Sequence, residues 1–599
     1  MNNPGEVDGC NRPLSMPLSS RKAKRMAKRL LDSQVSVPEA IARVLEQAGI
    51  AFVFGMPGGR TGSIYQALYD HQSTIRCVLV REEGLAAVMA DVYGRLSGRP
   101  GVCMGQGAFM LTNAGMGIVE AHLAGSPVLV LSDLSDGAPF SHHAPYQAGT
   151  GDYGAWDARA TIAGYTKRVF VSREPAAAVQ NTQLAIKHAL TGQPGPVALL
   201  YHSNALTQNV GPNTTPRLYD TAAYLLNERP AATAESIRHA LQLLNEATQP
   251  VIIAGNGVRM SQARAQLREL AELLGIPVAT TASGKGIFPE THPLALGVFG
   301  NFGLDAANAV VAAADLILAV GTKLGPTDTA NENPALLDPE RQAFVQVDIE
   351  GLHASWTMPA AQALVGDAQR VLAQIITAVR STEFQSFNAA NQVAEAHRTH
   401  ASFDIAASAS NATPIMPMRL IKELHRALPD DAIITCDAGE NRLFMLHHYQ
   451  TKGIQEYLQP AAVGGMGYAV PAALAAKLVF PNRPAVAVCG DGGFGIALNG
   501  MMTARDENIP IVTVVFNNSM LGWVRHGQGT RPIASKFAEY DHAAIGRAMG
   551  CDGIRVERAA DLPEAIGRAI ASGRPTIVDV VTSGDPTFRD VQTPLAQYP

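Results

Sequence analysis

The stretch Ala485-Val486-Ala487-Val488-Cys489-Gly490-Asp491-Gly492-Gly493-Phe494-Gly495 decides the reading of this chain. Five apolar residues in a row predict a strand covered on both faces, as parallel sheets require. The strand runs straight into a glycine-rich turn, and a helical stretch leads to a second apolar strand, Ile511–Phe516, that ends in Asn517-Asn518. Two such strands joined through a helix form a βαβ unit, so both end on the same edge of one open sheet. Ligands of doubly wound sheets collect at that edge. Asp491 and Asn518 therefore lie one strand apart. A hard cation such as Mg²⁺ takes a carboxylate, neutral oxygens and substrate phosphates, and glycines let a backbone approach phosphate closely. Two other readings stay open for Gly490–Gly495: a purely structural glycine turn, or the dinucleotide fingerprint G-x-G-x-x-G, in which the Asn517-Asn518 pair would have no role.

The same alternation extends in both directions. Val37–Ala48 predicts an amphipathic helix, and Ala51–Phe54 a strand ending in a Gly-Pro-Gly-Gly-like turn. Ile75–Val80 and Pro127–Leu131 predict strands, and Glu83–Gly94 a helix. A second block opens at Pro250–Ala254, continues through helix Gln262–Leu274 and holds strand Leu316–Val320. A third opens at Ala432–Cys436. Polar, proline-containing stretches separate the blocks. The expected organisation is a basic extension 1–33, an N-terminal domain 34–205, a linker 206–232, a central domain 233–380, a linker 381–415 and a C-terminal domain 416–599. The fold class is α/β, with three doubly wound parallel-sheet domains.

Composition narrows the function. The chain has 599 residues, 47% of them hydrophobic and 17% charged, which fits a multidomain globular enzyme and excludes a disordered or fibrous chain. A net charge of −5 provides no global basic field for nucleic acid. The six cysteines form no CxxC pair, so a reducing, cytoplasmic setting is expected. Asp315 and Lys477 interrupt the most apolar runs, and no membrane span is predicted. Residues 1–33 gather Arg21, Lys22, Lys24, Arg25, Lys28 and Arg29 without an apolar signal core. They read as a solvated tail, with a transit segment or an arm for an anionic partner as alternatives.

The Gly-Asp-Gly…Asn-Asn pattern resembles the thiamine diphosphate (ThDP) signature of the acetolactate synthase and 2-oxo acid decarboxylase family, and the resemblance runs from about residue 35 to 590. It implies that Asp491, Asn518 and the main-chain oxygen of Met520 hold Mg²⁺, with Gly490, Gly492 and Gly493 at the diphosphate. Gly439-Glu440-Asn441 resembles the family's other diphosphate turn. Val463-Gly464-Gly465-Met466-Gly467 resembles the segment that grips the cofactor rings, with the Gly464 carbonyl on the amino group and Met466 as the apolar wedge. Within Arg81-Glu82-Glu83, the second acid aligns with the family's catalytic glutamate, which supports the cofactor's own base; Glu82 alone reads as helix-dipole compensation. Phe54-Gly55-Met56-Pro57-Gly58-Gly59 resembles the turn through which a neighbouring subunit approaches the cofactor. That implies a homodimer or homotetramer with Pro57 and Gly58 at the cofactor and the site at the subunit interface.

Departures from the family bear on substrate. Ala108-Phe109-Met110-Leu111 replaces a Gly-Pro-Gly turn before Thr112-Asn113. Gly527, in Gly522-Trp523-Val524-Arg525-His526-Gly527, stands where the synthases carry a tryptophan that selects the second 2-oxo acid. Arg60 follows the glycine turn and is suited to a substrate carboxylate. Arg60, Phe109, Trp523 and Gly527 are thus the expected pocket residues. His142-His143 resembles a paired-histidine loop that relays protons in decarboxylases, so both are expected to be catalytic. Gly255-Asn256-Gly257 is an incomplete dinucleotide fingerprint. The run Thr280–Gly303 resembles the branch of the family that holds FAD, making FAD a candidate second cofactor. The resemblance implies a ThDP- and Mg²⁺-dependent lyase or carboligase that decarboxylates a 2-oxo acid and transfers the acyl unit to an acceptor carbonyl. The alternative is a non-ligating decarboxylase or a hydrolase like cyclohexane-1,2-dione hydrolase, acting on an α-dicarbonyl.

Overall fold

A computed structural model describes residues 27–135, 146–152, 154–226, 228–403 and 405–595. It contains three six-stranded sheets, every strand parallel to its neighbours. The first comprises Phe52–Gly55, Arg76–Leu79, Gly101–Gly105, Val128–Leu134, Arg168–Ser172 and Pro196–His202. The second comprises Pro250–Ala254, Val278–Thr280, Ala295–Val298, Leu316–Val320, Ala343–Asp348 and Gln362–Val365. The third comprises Ile433–Cys436, Glu456–Leu458, Ala485–Gly490, Val512–Asn517, Asp552–Val556 and Thr576–Val581. Numbered along the chain, the strands of the outer two sheets lie in order 2-1-3-4-6-5, and those of the central sheet in order 3-2-1-4-5-6. Each sheet therefore has a point where its connections turn opposite ways, the place at which doubly wound folds bind ligands.

Local chemistry explains the elements. Val128–Leu134 and Pro196–His202 are buried at every position, so neither strand shows alternation. Helix Val37–Gln47 starts at Ser36, whose side chain accepts from the Glu39 N–H, with proline in the first turn. The glycine run Gly490–Gly495 is not an extended loop. Helix Asp491–Ala497 begins directly after the strand, with Gly490 at its cap.

Helix Glu83–Ser97 packs against helix Ala469–Val479, and one apolar core runs through the N- and C-terminal domains. A charged cluster is buried within that contact. Arg95 donates to both Asp91 oxygens (3.0 and 2.8 Å) and to Glu120 (3.3 Å). Glu120 in turn accepts from the Val463 N–H at 2.8 Å. The central domain is joined to the C-terminal domain by Arg259, which reaches Glu456 and the Tyr457 carbonyl, and by the buried, mutually paired Lys285 and Glu290: Lys285 donates to the Leu446 carbonyl at 3.3 Å, and Glu290 accepts from the Thr451 N–H at 2.8 Å. No helix among the described residues is long and apolar enough to cross a membrane.

Candidate active site

The C-terminal sheet turns between strands Ile433–Cys436 and Ala485–Gly490, and an open cleft of about 460 Å³ lies there. Its lining includes Gly439, Glu440, Asn441, Met466, Gly490, Asp491, Gly492, Gly493, Asn518 and Met520, residues placed together from four separate loops.

Asp491 is the first residue of its helix. Its Oδ1 accepts from the Gly492 N–H at 2.7 Å, and its Oδ2 from the N–H groups of Asn518 (3.1 Å) and Ser519 (2.5 Å). The carboxylate thus ties the ends of adjacent strands, as strand pairing of Gly490 with Phe516 dictates. Burial pushes its pKa up to about 6 despite these N–H donors. The Asn518 side-chain oxygen accepts from the Met520 N–H at 3.3 Å. Among the described residues no three His, Cys, Asp or Glu side chains converge as a metal cage. A cation here would have one carboxylate, neutral oxygens and the ligand's own phosphates, which is the set Mg²⁺ accepts.

Gly439 takes a φ of +121°, turning the chain into helix Glu440–His448. Asn441 donates to the Asp437 carbonyl at 3.1 Å. Gly464 adopts φ +75°, and Met466 is 36% exposed at the rim of the cleft. The segment is held by Asp437, a residue absent from the sequence expectations. Its Oδ2 accepts from the N–H groups of Gly467 (3.1 Å) and Ala469 (3.4 Å). A β-carbon on Gly493 would come within 2.9 Å of the same oxygen. Burial pushes Asp437 up to about 6, against those N–H donors. An acid at the end of an apolar strand, just before a glycine turn, was the signal in the sequence.

Glu83 is 5% exposed and accepts from the Asn113 side chain at 3.1 Å. Glu82 is the N-cap of that helix and accepts from the Leu85 N–H at 3.2 Å, which accounts for the adjacent acids. Pro57 and Gly58 lie in the turn after strand Phe52–Gly55. The turn is fixed from below by buried Asp133, which accepts from the N–H groups of Arg60 (2.7 Å) and Gly107 (3.0 Å). Burial raises the Asp133 carboxyl, and those two N–H groups offset part of the rise. Within one chain these N-terminal residues are not among those lining the cleft.

Phe109 is 45% exposed on helix Gly107–Asn113, while Met110 and Leu111 fill the core beneath it. Trp523 stacks on Phe588 with centroids 4.7 Å apart and meets the Phe302 edge at 6.3 Å. Gly527 ends helix Gly522–Gly527, and a β-carbon there would meet nothing within 4 Å. His142 and His143 lie outside the described residues.

Known proteins match along nearly the whole chain. The profile for "Thiamine pyrophosphate enzyme, N-terminal TPP binding domain" matches residues 35–149, that for the central domain residues 237–375, and that for the "C-terminal TPP binding domain" residues 437–580. A probable acetolactate synthase large subunit of Methanocaldococcus jannaschii is 31% identical over 91% of this chain and 91% of its own length. The chain belongs to the thiamine pyrophosphate enzyme family. Within that family it is also similar to the acetolactate synthase large subunit of Corynebacterium glutamicum, 29% identical over 91% of this chain and 87% of the relative. A putative thiamine pyrophosphate-containing protein of Bacillus subtilis, YdaP, is 28% identical over 92% of both chains. The third sheet, whose cleft is described above, lies within the matched C-terminal TPP binding domain.

Proposed function

We propose that this protein is a ThDP- and Mg²⁺-dependent carboligase of the acetolactate synthase type, acting on a small 2-oxo acid. The observation that carries the reading is the cleft at the turn of the C-terminal sheet, with Asp491 fastened to the main chain of Asn518 and Ser519. The donor set fits the cofactor: backbone N–H groups at the starts of two helices, a positive-φ Gly439, and one carboxylate, Asp491, whose pKa burial raises. Bound ThDP supplies the electron sink that stabilises the carbanion left by C–C cleavage.

In this reading Asp491, the Asn518 amide and the Met520 carbonyl hold Mg²⁺, and Gly490, Gly492, Gly493, Gly439, Glu440 and Asn441 surround the diphosphate. The Gly464 carbonyl would accept from the cofactor's amino group, and Met466 would be the apolar wedge against its rings. Glu83, held by Asn113, would be the acid–base group toward the cofactor. Pro57 and Gly58 reach the cofactor from a second subunit, so the working unit is a homodimer or a larger homo-oligomer. Support comes from apolar Met466, left 36% exposed in the cleft lining, with Val463 and Ile496, 41% and 57% exposed, among the exposed large apolar side chains of the C-terminal domain. Arg60, Phe109, Trp523 and Gly527 face the substrate. Cys77, Cys103, Cys436, Cys489 and Cys551 are free thiols, in keeping with a cytoplasmic enzyme.

FAD has less support. Gly286 is packed against Tyr457, Gly300 against the carbonyls of Thr327 and Asp328, and Gly257 against Gly321. Backbone packing accounts for these glycines, FAD stays a candidate second cofactor, and flavin absorbance of the purified protein tests it. Product analysis by NMR with pyruvate, ThDP and Mg²⁺ tests the main reading. Acetolactate supports carboligation, whereas acetaldehyde alone overturns it in favour of a decarboxylase. The open space at Gly527 is the observation that favours this second, non-ligating reading.

A further inference from the structure

Glu440 places a carboxylate in the cleft read above as the diphosphate site, where a further negative charge opposes an anion. Its surroundings resolve the conflict. Oε1 accepts from the Phe588 N–H at 2.9 Å and lies 2.7 Å from His526 Nδ1. The other ring nitrogen, Nε2, lies 3.1 Å from the Gly584 carbonyl. A carbonyl only accepts, so Nε2 carries a hydrogen. Nδ1 then either donates a second proton to the carboxylate or accepts one from a protonated Glu440. In both arrangements the pair holds one shared proton. Without it a carboxylate oxygen would face an imidazole lone pair at hydrogen-bond distance.

The arrangement is confined. The Glu440 and His526 side chains are only 5% and 14% exposed. The other carboxylate oxygen, Oε2, is turned toward Gly522, where a β-carbon would come within 2.2 Å. Gly522 is therefore a glycine because Glu440 occupies its side-chain space, and both residues line the cleft.

We propose that Glu440 and His526 form a proton-carrying pair that neutralises the cleft carboxylate, so that binding of the anionic cofactor is coupled to protonation of the pair. The inference rests on the ThDP reading of the cleft. His526 is a positioning residue: it acts through Glu440. Burial pushes the Glu440 carboxyl up, and His526 and the Phe588 N–H work against that rise. The surrounding charges are few. Asp590, in the turn Phe588–Val591, pushes Glu440 up as well. Arg589 is directed to the His526 carbonyl and lies over the Phe588 ring. Arg525 is directed to the Gly529 carbonyl, Asp585 accepts from Ser583, and Asp491 lines the same cleft. Only His526 forms an ion pair with Glu440 among the described residues.

Calorimetric titration of the full-length apoprotein with ThDP, at fixed Mg²⁺ and in two buffers of different ionisation enthalpy, tests this. In the wild type, uptake approaches about one proton per ThDP at the alkaline end, and affinity falls up to about tenfold per pH unit once the free pair has lost its proton. Glu440→Gln keeps an acceptor for the Phe588 N–H without the charge, so binding persists, uptake is lost and the pH dependence flattens. His526→Gln leaves the carboxylate charged and weakens ThDP binding about tenfold or more at the alkaline end, and adding Glu440→Gln to it restores the affinity. Equal proton uptake by wild type and Glu440→Gln overturns the pair while leaving the ThDP site intact. No ThDP binding by any variant overturns the functional reading, and the pair with it.

Discussion

Replacing Arg95 by methionine removes the guanidinium that pairs with two buried carboxylates, Asp91 and Glu120. Asp91 and Glu120 side chains are 0% exposed and Arg95 is 2% exposed, so water cannot take over for the lost charge. Breaking a buried pair by deleting one partner costs about 3–5 kcal/mol. An independent route gives the same scale. Two unpaired carboxylates in one apolar contact will not both stay ionised, and keeping a glutamic acid protonated at pH 7, against its ordinary 4.5, costs about 3 kcal/mol. Roughly 350 residues of the N- and C-terminal domains share this core and would melt together, with an unfolding entropy of about 0.7 kcal/mol/K. A cost of about 4 kcal/mol then lowers the melting temperature by about 6 °C. The pH dependence has a definite sign. Burial already raises Glu120 while Arg95 opposes the rise, so the variant raises it further. An acid raised in the folded state loses stability as pH increases above its unfolded value and regains it as pH falls. The deficit is therefore largest near pH 8 and shrinks toward pH 5, as read by scanning calorimetry in matched buffers. A variant within about 1 kcal/mol of wild type, or a deficit that does not change with pH, would refute the charge argument.

Three further outcomes are expected. Asp491→Ala abolishes Mg²⁺-dependent ThDP retention, measured by cofactor content after gel filtration; a variant that copurifies with ThDP as the wild type does contradicts the metal assignment. Glu83→Gln keeps ThDP affinity and lowers turnover about 10²–10⁴-fold, the usual scale for a lost proton-transfer group; Asn113→Ala, which frees the same carboxylate, shows a smaller loss in the same steady-state assay. Gly527→Trp shifts melting by no more than about 0.5 kcal/mol, because a β-carbon there meets nothing within 4 Å, yet it changes the ratio of ligated to simply decarboxylated product by NMR; an unchanged ratio removes Gly527 from the acceptor pocket.

Much of this was legible in the chain because the information was local. An apolar strand followed by glycine and aspartate is a contiguous signal, and parallel pairing alone brings Asp491 beside Asn518 across 27 residues. The strands Pro250–Ala254 and Leu316–Val320 coincide with their apolar runs for the same reason. Boundaries moved where the backbone decided them: helix Arg264–Leu274 starts later than its periodicity suggests, after Gln262 with a φ of +58°, and Gly492 and Gly493 fall inside a helix.

The sequence by itself determined three parallel α/β sheets and the loops that gather at one edge of each, since strand burial and glycine turns act within a few residues. Tertiary structure alone decided the polar partnerships. Asn113 reaches Glu83 from 30 residues away, Asp133 holds Arg60 from 73, and His526 meets Glu440 from 86. No periodicity encodes such pairs. They exist because a polar group carried into a low-dielectric interior must find a partner there, and only the assembled fold decides which one is within reach.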